Sequence, residues 1–446
     1  MRLKKILLLG AGKSAHTLIK YLLDNAAEYN WQVSIGDKNM EALMRKVKGS
    51  SARVIDFSVH NETQLRQEVG MADIVISMLP ARFHPKVANT CLDLGKSMVT
   101  ASYVSPELQK LDKEAKEKNI LFLNEIGLDP GLDHISAMKV IDEIRGKGGE
   151  MINFESFAGG LLSPESENNP WKYKFTWNPR NVVLAGQGTV KFIQEGRYKY
   201  IPYHKLFRRT EIIEIDGYGK FEGYANRDSL KYLDVYNLRG ISTIYRGTLR
   251  RPGFCRAWNA FVQLGATDDS YVMEGSENFT HRQFINSFLS FNPHDSVELK
   301  LMHYLKIDQD SDIMEKLKWL GIFEDKKVGL PNATPAQILQ HILEKKWKLS
   351  AEDKDMIVMW HLFDYKLKDK TYRKTSSMVV LGEDHENTAM AKTVGLPLGI
   401  AIKMILEEKI KLKGIHVPIT PEIYEPILEE LTNMGISFTE KEEELS

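Results

Sequence analysis

The residues with the clearest chemistry form a glycine-rich segment near the start of the chain. Gly10-Ala-Gly12-Lys-Ser-Ala15 fits the spacing G-x-G-x-x-G/A, between an apolar run (residues 3–10) and an amphipathic pattern. In such a loop the first glycine allows a tight turn, the second admits a pyrophosphate, and the small third residue lets the helix pack closely. The helix N-terminus then offers free N–H groups to phosphate. We therefore expect Gly10, Ala11 and Gly12 to bind a dinucleotide.

An acid at the end of the next apolar run refines this expectation. Asp37 closes Trp31-Gln-Val-Ser-Ile-Gly-Asp37. An acid at this point binds the ribose 2′-hydroxyl and disfavours a 2′-phosphate, which predicts NAD over NADP. Lys38 beside it could still tolerate the phosphate, so NADP stays open. The alternative is a glycine turn in a domain that binds no nucleotide.

Apolar runs alternate with helical patterns through the first 130 residues. Continuous apolar strands between helices predict an α/β fold of the Rossmann type, a doubly wound parallel sheet covered on both faces. Ligands of such sheets lie outside the carboxyl ends of the strands. We therefore expect Leu79, Thr100 and Ser102 to line the nicotinamide half, although strand-end capping would also explain Thr100 and Ser102. The runs are residues 3–10, 31–37, 73–80, 97–102 and 120–124, with helices near 84–95 and 105–118.

The character of the sequence changes after residue 131. Residues 150–280 are rich in Gly, Tyr, Arg and Asn and predict a mixed α/β domain, with strands near 151–157, 211–215 and 243–249. Residues 281–350 predict a small helical domain. Strands are expected again within 355–382, then helices at 387–408 and 421–434, and a charged tail.

The composition limits the classes of function. The chain has 446 residues with 60 basic and 60 acidic side chains, which excludes a surface built throughout for phosphate backbones. Its two cysteines, Cys91 and Cys255, form no disulfide framework and favour a reducing, cytoplasmic compartment. No run reaches the ~20 apolar residues of a spanning helix, so we expect a soluble protein with no membrane or nucleic-acid partner.

Several motifs together resemble one family, the saccharopine reductases. These are the glutamate-forming saccharopine dehydrogenases, which include the C-terminal half of the bifunctional aminoadipate semialdehyde synthases. The first two motifs are Thr100-Ala-Ser-Tyr103 and Glu125-Ile-Gly-Leu-Asp-Pro-Gly-Leu-Asp-His134. Further matches continue in order through the chain: Gly159-Gly160, Asn168-Asn-Pro170, Tyr173-Lys-Phe175, Gly223-Tyr-Ala-Asn-Arg-Asp228, Arg246-Gly-Thr-Leu-Arg250, Ala389-Met-Ala-Lys-Thr-Val-Gly-Leu-Pro397 and Glu422-Ile-Tyr-Glu-Pro-Ile-Leu428.

The resemblance implies a reaction and a domain organisation. Saccharopine, NAD(P)+ and water would give L-glutamate, L-2-aminoadipate 6-semialdehyde and NAD(P)H, or the reverse. The dinucleotide-binding domain (1–130) would be rejoined by C-terminal helices (about 390–446). A substrate-binding and dimerisation domain (131–280 and about 351–389) would carry the small helical domain (281–350). The partners would be these small molecules and, in a homodimer, a second copy of the chain.

The resemblance also assigns individual residues to the two ligands. Those assigned to the cofactor are Gly10, Ala11, Gly12, Asp37, Leu79, Thr100, Ala101, Ser102, Leu128, Asp129 and Pro130. Those assigned to saccharopine are Ser102, Tyr103, Arg227, Thr248, Leu249 and Arg250.

The chemistry of saccharopine fits part of this set. Its three carboxylates call for cations with planar, bidentate reach, which favours arginine, so Arg227 and Arg250 are the expected anchors. A solvated basic strand face is the alternative. Its amine must lose a proton before hydride leaves, which calls for a proton-transfer group. The candidates are Asp129, Tyr103 and Lys174. The alternative for Asp129 is a turn residue before Pro130, and the alternative for Lys174 is an exposed lysine on the surface.

The sequence departs from the motifs of the saccharopine reductases at two positions, and two rival functions are open. Ala158 stands where many relatives carry a cysteine, and Ala225 replaces a proline of the Tyr-Pro-Asn-Arg-Asp motif. One rival is a carboxynorspermidine-type dehydrogenase, which should carry more acids at its substrate site. Arg227 and Arg250 argue against this rival. A non-catalytic NAD(H)-sensing regulator should lose the substrate motifs. We expect no metal site, with His134 as a histidine at a helix start, and we expect Tyr173 to pack in the core or a pocket wall.

Overall fold

A computed structural model describes residues 2–445 and divides into two compact units. The first unit runs to Glu150 and also contains Leu367–Asp369 and Met378–Glu440. The second contains Met151–Lys366, Lys370–Ser377 and the residues from Lys441 onward. The helices within 281–350 therefore lie in the same unit as residues 151–280.

The helices and strands follow one another along the whole chain. Up to Gly146 they are β1 (Lys4–Leu9), α1 (His16–Asp24), β2 (Trp31–Asp37), α2 (Met40–Lys46), β3 (Arg53–Asp56), α3 (Glu62–Met71), β4 (Ile74–Ser77), α4 (His84–Asp93), β5 (Ser97–Val99), α5 (Pro106–Gln109), α6 (Asp112–Glu117), β6 (Leu121–Leu123) and α7 (Leu132–Gly146). The remainder are β7 (Glu150–Leu162), α8 (Pro179–Val183), β8 (Val190–Gln194), β9 (Arg197–Ile201), α9 (Tyr203–Leu206), β10 (Thr210–Ile215), β11 (Gly219–Ala225), α10 (Tyr232–Val235), β12 (Thr243–Arg250), α11 (Phe254–Leu264), α12 (His281–Asn286), α13 (Val297–Leu305), α14 (Asp312–Trp319), α15 (Pro335–Trp347), β13 (Asp355–Leu367), β14 (Lys370–Leu381), α16 (Ala389–Leu406), β15 (Gly414–His416), α17 (Pro421–Asn433) and β16 (Thr439–Leu445).

The first unit is built on a seven-stranded parallel sheet in the order β15-β6-β5-β4-β1-β2-β3. The central strands are continuous apolar runs because helices cover both faces, and all of β4 is buried. The strand order reverses between β1 and β4, which creates a crevice at their carboxyl ends. The predicted Rossmann-type α/β fold is confirmed.

The C-terminal helices α16 and α17 belong to this first unit. α16 packs on α1 so closely that a Cβ at Gly395 would lie 2.7 Å from the backbone nitrogen of Leu18. α16 has the length and apolar composition of a membrane-spanning helix, but most of it is buried in the unit. α7 packs on α17, where the Tyr424 hydroxyl donates to Asp142 at 2.9 Å. The first unit therefore includes α7 and runs to Glu150.

The second unit contains most of a nine-stranded mixed sheet in the order β10-β11-β12-β7-β13-β14-β16, with β8 beside β12 and β9 beside β8. β12 runs parallel to β7 and antiparallel to β11. The expected charged tail is a strand, β16, and the single helix expected over 105–118 is two short ones, α5 and α6. Strands β3, β8, β9, β11 and β15 were not predicted.

Candidate functional site

The glycine loop lies where the strand order of the first sheet reverses. Gly10 has a φ of +95°, and a Cβ there would lie 2.8 Å from the backbone of Met78. Only glycine fits this turn without strain. Gly12 differs, because it has an ordinary φ of −62° and nothing lies within 4 Å of a Cβ built on it. The loop thus presents backbone and open space, the features that a pyrophosphate requires.

Asp37 and Lys46 both hold this loop. The Asp37 carboxylate accepts the N–H groups of Ala11, at 2.6 Å, and Asn39, at 2.8 Å. The Lys46 ammonium donates to the carbonyls of Ala11, at 2.6 Å, and Gly12, at 2.5 Å. Burial lowers the pKa of Lys46, although the Asp37 charge opposes that shift. Asp37 therefore has a structural role that needs no ribose, and a cation lies close enough to offset its charge.

Residues after β4 and β5 form a hydrogen-bonded cluster. His84 contacts the hydroxyls of Ser77 at 2.9 Å through Nδ1 and of Ser102 at 2.7 Å through Nε2. Thr100 Oγ1 lies 3.4 Å from the same Nε2 and accepts the Ser102 N–H at 3.2 Å. Burial lowers the pKa of His84 to about 4, so the imidazole is neutral at physiological pH. Ser102 is partly exposed, and Leu79 packs beside the neighbouring core.

The loop after β6 carries the predicted Leu128, Asp129 and Pro130. The Tyr103 hydroxyl donates to Asp129 Oδ1 at 3.3 Å, so two proposed proton-transfer groups lie in contact. The loop is tied back where the Gly127 N–H donates to the Pro130 carbonyl at 3.0 Å. Beneath it His134 Nε2 lies 2.8 Å from Glu125 Oε2, and both residues are buried. Ala101 packs under the same loop, since a Cβ on Gly127 would lie 2.9 Å from its side chain.

Arg250 is the most unusual side chain of the second unit. It ends β12 and is only 4% exposed. Its guanidinium carbon lies 5.2 Å from the ring of Tyr173, 5.3 Å from Phe254 and 5.9 Å from Tyr224, which is cation–π distance. One N–H donates to the Leu249 carbonyl at 3.0 Å, and Nε has no partner in the part of the chain that the structure describes.

No carboxylate within residues 2–445 forms an ion pair with Arg250. The nearby Glu222 carboxylate instead accepts the N–H groups of Gly253 and of Cys255, the latter at 3.0 Å, at the start of α11. The Tyr173 hydroxyl is also buried and has no partner among the described residues, and burial raises its pKa to about 12, so it stays neutral. A buried cation without a counter-ion is costly, and a ligand carboxylate would remove that cost.

The other predicted substrate residues of the second unit differ in exposure. Thr248 is partly exposed and opposes Tyr224 across the β11–β12 pair, and Leu249 is fully buried. Arg227 is exposed and has a left-handed φ of +54°, and its carbonyl accepts the Lys191 N–H at 3.0 Å. The two predicted anchors thus differ, because Arg227 is exposed to solvent and Arg250 is buried among aromatic rings.

Lys174 is buried and paired with an acid. Its ammonium donates to Asp353 at 2.6 Å, and the same oxygen accepts the N–H and hydroxyl of Ser350 at 2.6 and 2.7 Å. Burial opposes ionisation of Asp353, but the hydrogen bonds from Lys174 and Ser350 outweigh it and lower the pKa of the carboxyl. The alternative that Lys174 is an exposed surface lysine is therefore wrong.

Sequence reasoning missed several members of these clusters. Lys46 is one of many lysines on charged helices, and nothing in the sequence marks it. His84 opens a predicted helix directly after a strand end, which is a usable signal, since that edge of a parallel sheet binds ligands. Asp353 lies 179 residues from Lys174, so no local pattern connects the two.

Comparison with known proteins gives matches along the whole chain. Residues 6–123 match the family described as saccharopine dehydrogenase NADP binding domain, and residues 127–436 match saccharopine dehydrogenase C-terminal domain. The chain is 34% identical over 448 residues to saccharopine dehydrogenase (NADP(+), L-glutamate-forming) of Saccharomyces cerevisiae, covering 98% of this chain and 99% of that one. It is 34% identical over 443 residues to the mitochondrial alpha-aminoadipic semialdehyde synthase of Rattus norvegicus.

The rat match covers 98% of this chain but 47% of the relative, so the chain spans about half the length of that protein. Among solved structures, apo histidine-tagged saccharopine dehydrogenase (L-Glu forming) from Saccharomyces cerevisiae superposes with a TM-score of 0.88 and 32% identity. That match covers 99% of this chain and 100% of the other. The N-terminal family description and the name of the yeast relative both specify NADP, so these matches do not support the NAD preference predicted from Asp37.

Proposed function

This chain belongs to the saccharopine dehydrogenase family, as its motifs predicted, and we propose that it interconverts saccharopine with L-glutamate and L-2-aminoadipate 6-semialdehyde. The observation that carries the proposal is the buried guanidinium of Arg250, which has no carboxylate partner within residues 2–445. Saccharopine has three carboxylates, and an arginine fork pairs with a carboxylate through two parallel hydrogen bonds. A polyamine substrate would instead call for a surplus of acids.

The residues of the first unit fit a nicotinamide dinucleotide. Gly10 makes the turn, Gly12 leaves open space for the pyrophosphate, and Thr100, Ser102 and Leu128 lie near the carboxyl ends of the strands. The bound nicotinamide would accept the hydride that leaves the substrate. The chain itself would hold the substrate, take the proton of its amine and deliver one for imine hydrolysis. Asp129 with Tyr103 is our proposed proton-transfer pair, because the two side chains are in contact.

Lys174 is the weaker of the three proton-transfer candidates. Its ammonium donates to Asp353 in a buried ion pair. A general base must lie within hydrogen-bond reach of the proton that it takes, and Nζ is instead directed at this carboxylate. We therefore propose a structural role for Lys174, and we keep Arg227, Thr248 and Leu249 as proposed substrate contacts beside Arg250.

For the cofactor we propose NADP(H). Asp37 is occupied by two backbone N–H groups, so its presence does not require a ribose 2′-hydroxyl. Lys46 and the exposed Lys38 supply positive charge that a 2′-phosphate would need. Dissociation constants of NADPH and NADH, from the fluorescence of the reduced nicotinamide, test this proposal. NADPH should bind more tightly than NADH, and K46M and K38M should each weaken the binding of NADPH more than the binding of NADH. Tighter NADH binding would overturn the proposal.

We propose a homodimer on the basis of the family resemblance, and a reducing, cytoplasmic compartment because Cys91 and Cys255 are free and buried. Sedimentation velocity of the purified chain tests the dimer, since a single species of about 51 kDa would contradict it.

The reaction is tested by absorbance at the reduced-nicotinamide band, with purified protein, saccharopine and either NADP+ or NAD+. A saccharopine-dependent rise supports the function. A rise with carboxynorspermidine instead would assign the rival dehydrogenase activity. NADPH binding without turnover of either substrate, in both directions, would point to the non-catalytic regulator.

A further inference from the structure

His84 lies among three hydroxyl groups, and the proposed function assigns this histidine no role. His84 is the first residue of α4 and is only 2% exposed. Three hydroxyls surround its ring: Ser77 Oγ at Nδ1, and Ser102 Oγ and Thr100 Oγ1 at Nε2. Of the three, Ser77 and Thr100 are fully buried, and Ser102 is partly exposed.

A neutral imidazole has one N–H donor and one acceptor nitrogen, so its tautomer fixes the direction of these hydrogen bonds. If Nδ1 carried the hydrogen, it would donate to Ser77, whose own hydrogen would have no acceptor within the described chain. The separation of 2.7 Å between Ser102 Oγ and Nε2 requires a hydrogen between the two atoms, so Ser102 would then fill the lone pair of Nε2. The Thr100 hydrogen would also lack an acceptor.

If Nε2 carries the hydrogen, fewer buried hydroxyls are left unsatisfied. Ser77 then donates to Nδ1, and Nε2 donates to Ser102. Of the two fully buried hydroxyls, only that of Thr100 then has a hydrogen with no acceptor within residues 2–445, and a buried unsatisfied donor is costly. In this arrangement Ser102 accepts from His84, and its own hydroxyl hydrogen is free to point to a ligand.

We propose that His84 is a positioning residue that, as the Nε2–H tautomer, makes Ser102 a hydrogen-bond donor to a carboxylate of the amino acid substrate. The proposal rests on the proposed function for the nature of that acceptor. The Ser102 backbone is fixed as well, because its N–H donates to Thr100 Oγ1 and its carbonyl accepts the Glu125 N–H at 3.1 Å. The backbone and the side chain of Ser102 are thus both held in place, and the Ser102 hydroxyl can donate its hydrogen only away from His84.

The tautomer is tested without any ligand, by long-range proton–nitrogen correlation spectra of protein labelled with ¹⁵N-histidine. The His84 signals are identified by their loss in H84F. We expect an Nε2–H tautomer that stays neutral from pH 6 to pH 8, because burial lowers the pKa of His84 to about 4. An Nδ1–H tautomer, or an imidazolium in this range, would overturn the proposal whatever the substrate is.

The action through Ser102 is tested by a double-mutant cycle on KM for saccharopine. S102A should raise KM roughly tenfold or more, as expected for loss of a hydrogen bond to a charged group. H84F should raise KM in the wild-type background, but by less than about twofold in the S102A background, because its partner is already gone. H84Q, which keeps an amide donor, should recover most of the loss.

Equal effects of H84F in both backgrounds would contradict the proposal, because His84 would then act independently of Ser102. Melting temperatures of all variants are recorded, and if H84F does not fold, the H84Q cycle replaces it. Failure of wild-type protein to turn over saccharopine would refute the proposed function and leave the tautomer measurement as the test of His84.

Discussion

Replacing Arg250 with methionine should weaken substrate binding and stabilise the fold at the same time. Arg250 is 4% exposed, and within residues 2–445 its guanidinium makes one hydrogen bond, to the Leu249 carbonyl, and leaves Nε without a partner. Removing one member of a buried, hydrogen-bonded charge pair costs about 2–5 kcal/mol of binding free energy, so kcat/KM for saccharopine should fall roughly 30-fold to several thousand-fold. In the ligand-free protein no such pair exists, so R250M removes an uncompensated charge and should raise stability by about 1–3 kcal/mol.

The neighbouring Arg251 provides a matched control. It is also buried, but it is paired with the Glu167 carboxylate and donates to the Tyr218 carbonyl at 2.8 Å. R251M leaves Glu167 with Lys172, at 3.3 Å, as its remaining cation. We expect R251M to lower stability by about 1–3 kcal/mol and to leave KM for saccharopine nearly unchanged.

Steady-state kinetics and thermal melting of the ligand-free proteins measure both effects. Each kcal/mol should move the melting temperature by about 2–4 °C for units of this size. R250M and R251M should therefore shift it in opposite directions. If R250M lowers the melting temperature as R251M does, or leaves KM unchanged, Arg250 is a structural residue and the reasoning from its missing partner is wrong.

Two further pairs of variants test the structure in the same way. G12A should melt like the wild type, because its Cβ enters open space, but should weaken NADPH binding roughly tenfold or more; G10A should instead lower the melting temperature, since its Cβ meets the Met78 backbone. Unchanged NADPH binding by G12A would place the pyrophosphate elsewhere. K174M should destabilise the protein by about 2–4 kcal/mol by stranding Asp353. Because the folded pKa of Asp353 is below its unfolded value, its contribution is present above about pH 4 and is lost at lower pH, so urea unfolding of D353N should depend less on pH there. Lost activity of K174M at unchanged stability would make Lys174 catalytic.

The sequence predicted the first sheet because its strands carry their own signal. β4 and its neighbours are continuous apolar runs between helices, which only a doubly covered parallel sheet explains. The missed strands lack such a signal. Four of the seven residues of β16 are glutamates, and its strand conformation comes from its place beside β14 at the end of the sheet. Tertiary context overrides local preference at such edges.

The candidate site divides in the same way. The glycine loop is a local motif, and its spacing was enough to place Gly10 and Gly12. The significance of Arg250 lies in its surroundings: Tyr173 and Tyr224, which are distant in sequence, lie near its guanidinium, and no carboxylate within residues 2–445 pairs with it. Asp37 shows the opposite case, since the motif suggested a ribose contact and the structure gives its carboxylate two backbone partners.

The central claim is the bond that the protein breaks, and isotope tracing measures it directly. Saccharopine labelled with ¹⁵N at the bridging amine is incubated with the protein and NADP+, and the products are identified by mass spectrometry. Oxidation at the carbon on the aminoadipate side leaves the label in L-glutamate and releases unlabelled semialdehyde, which is the result we predict. Label recovered in lysine together with 2-oxoglutarate would mean that the other carbon–nitrogen bond is cleaved, and would contradict the proposed function.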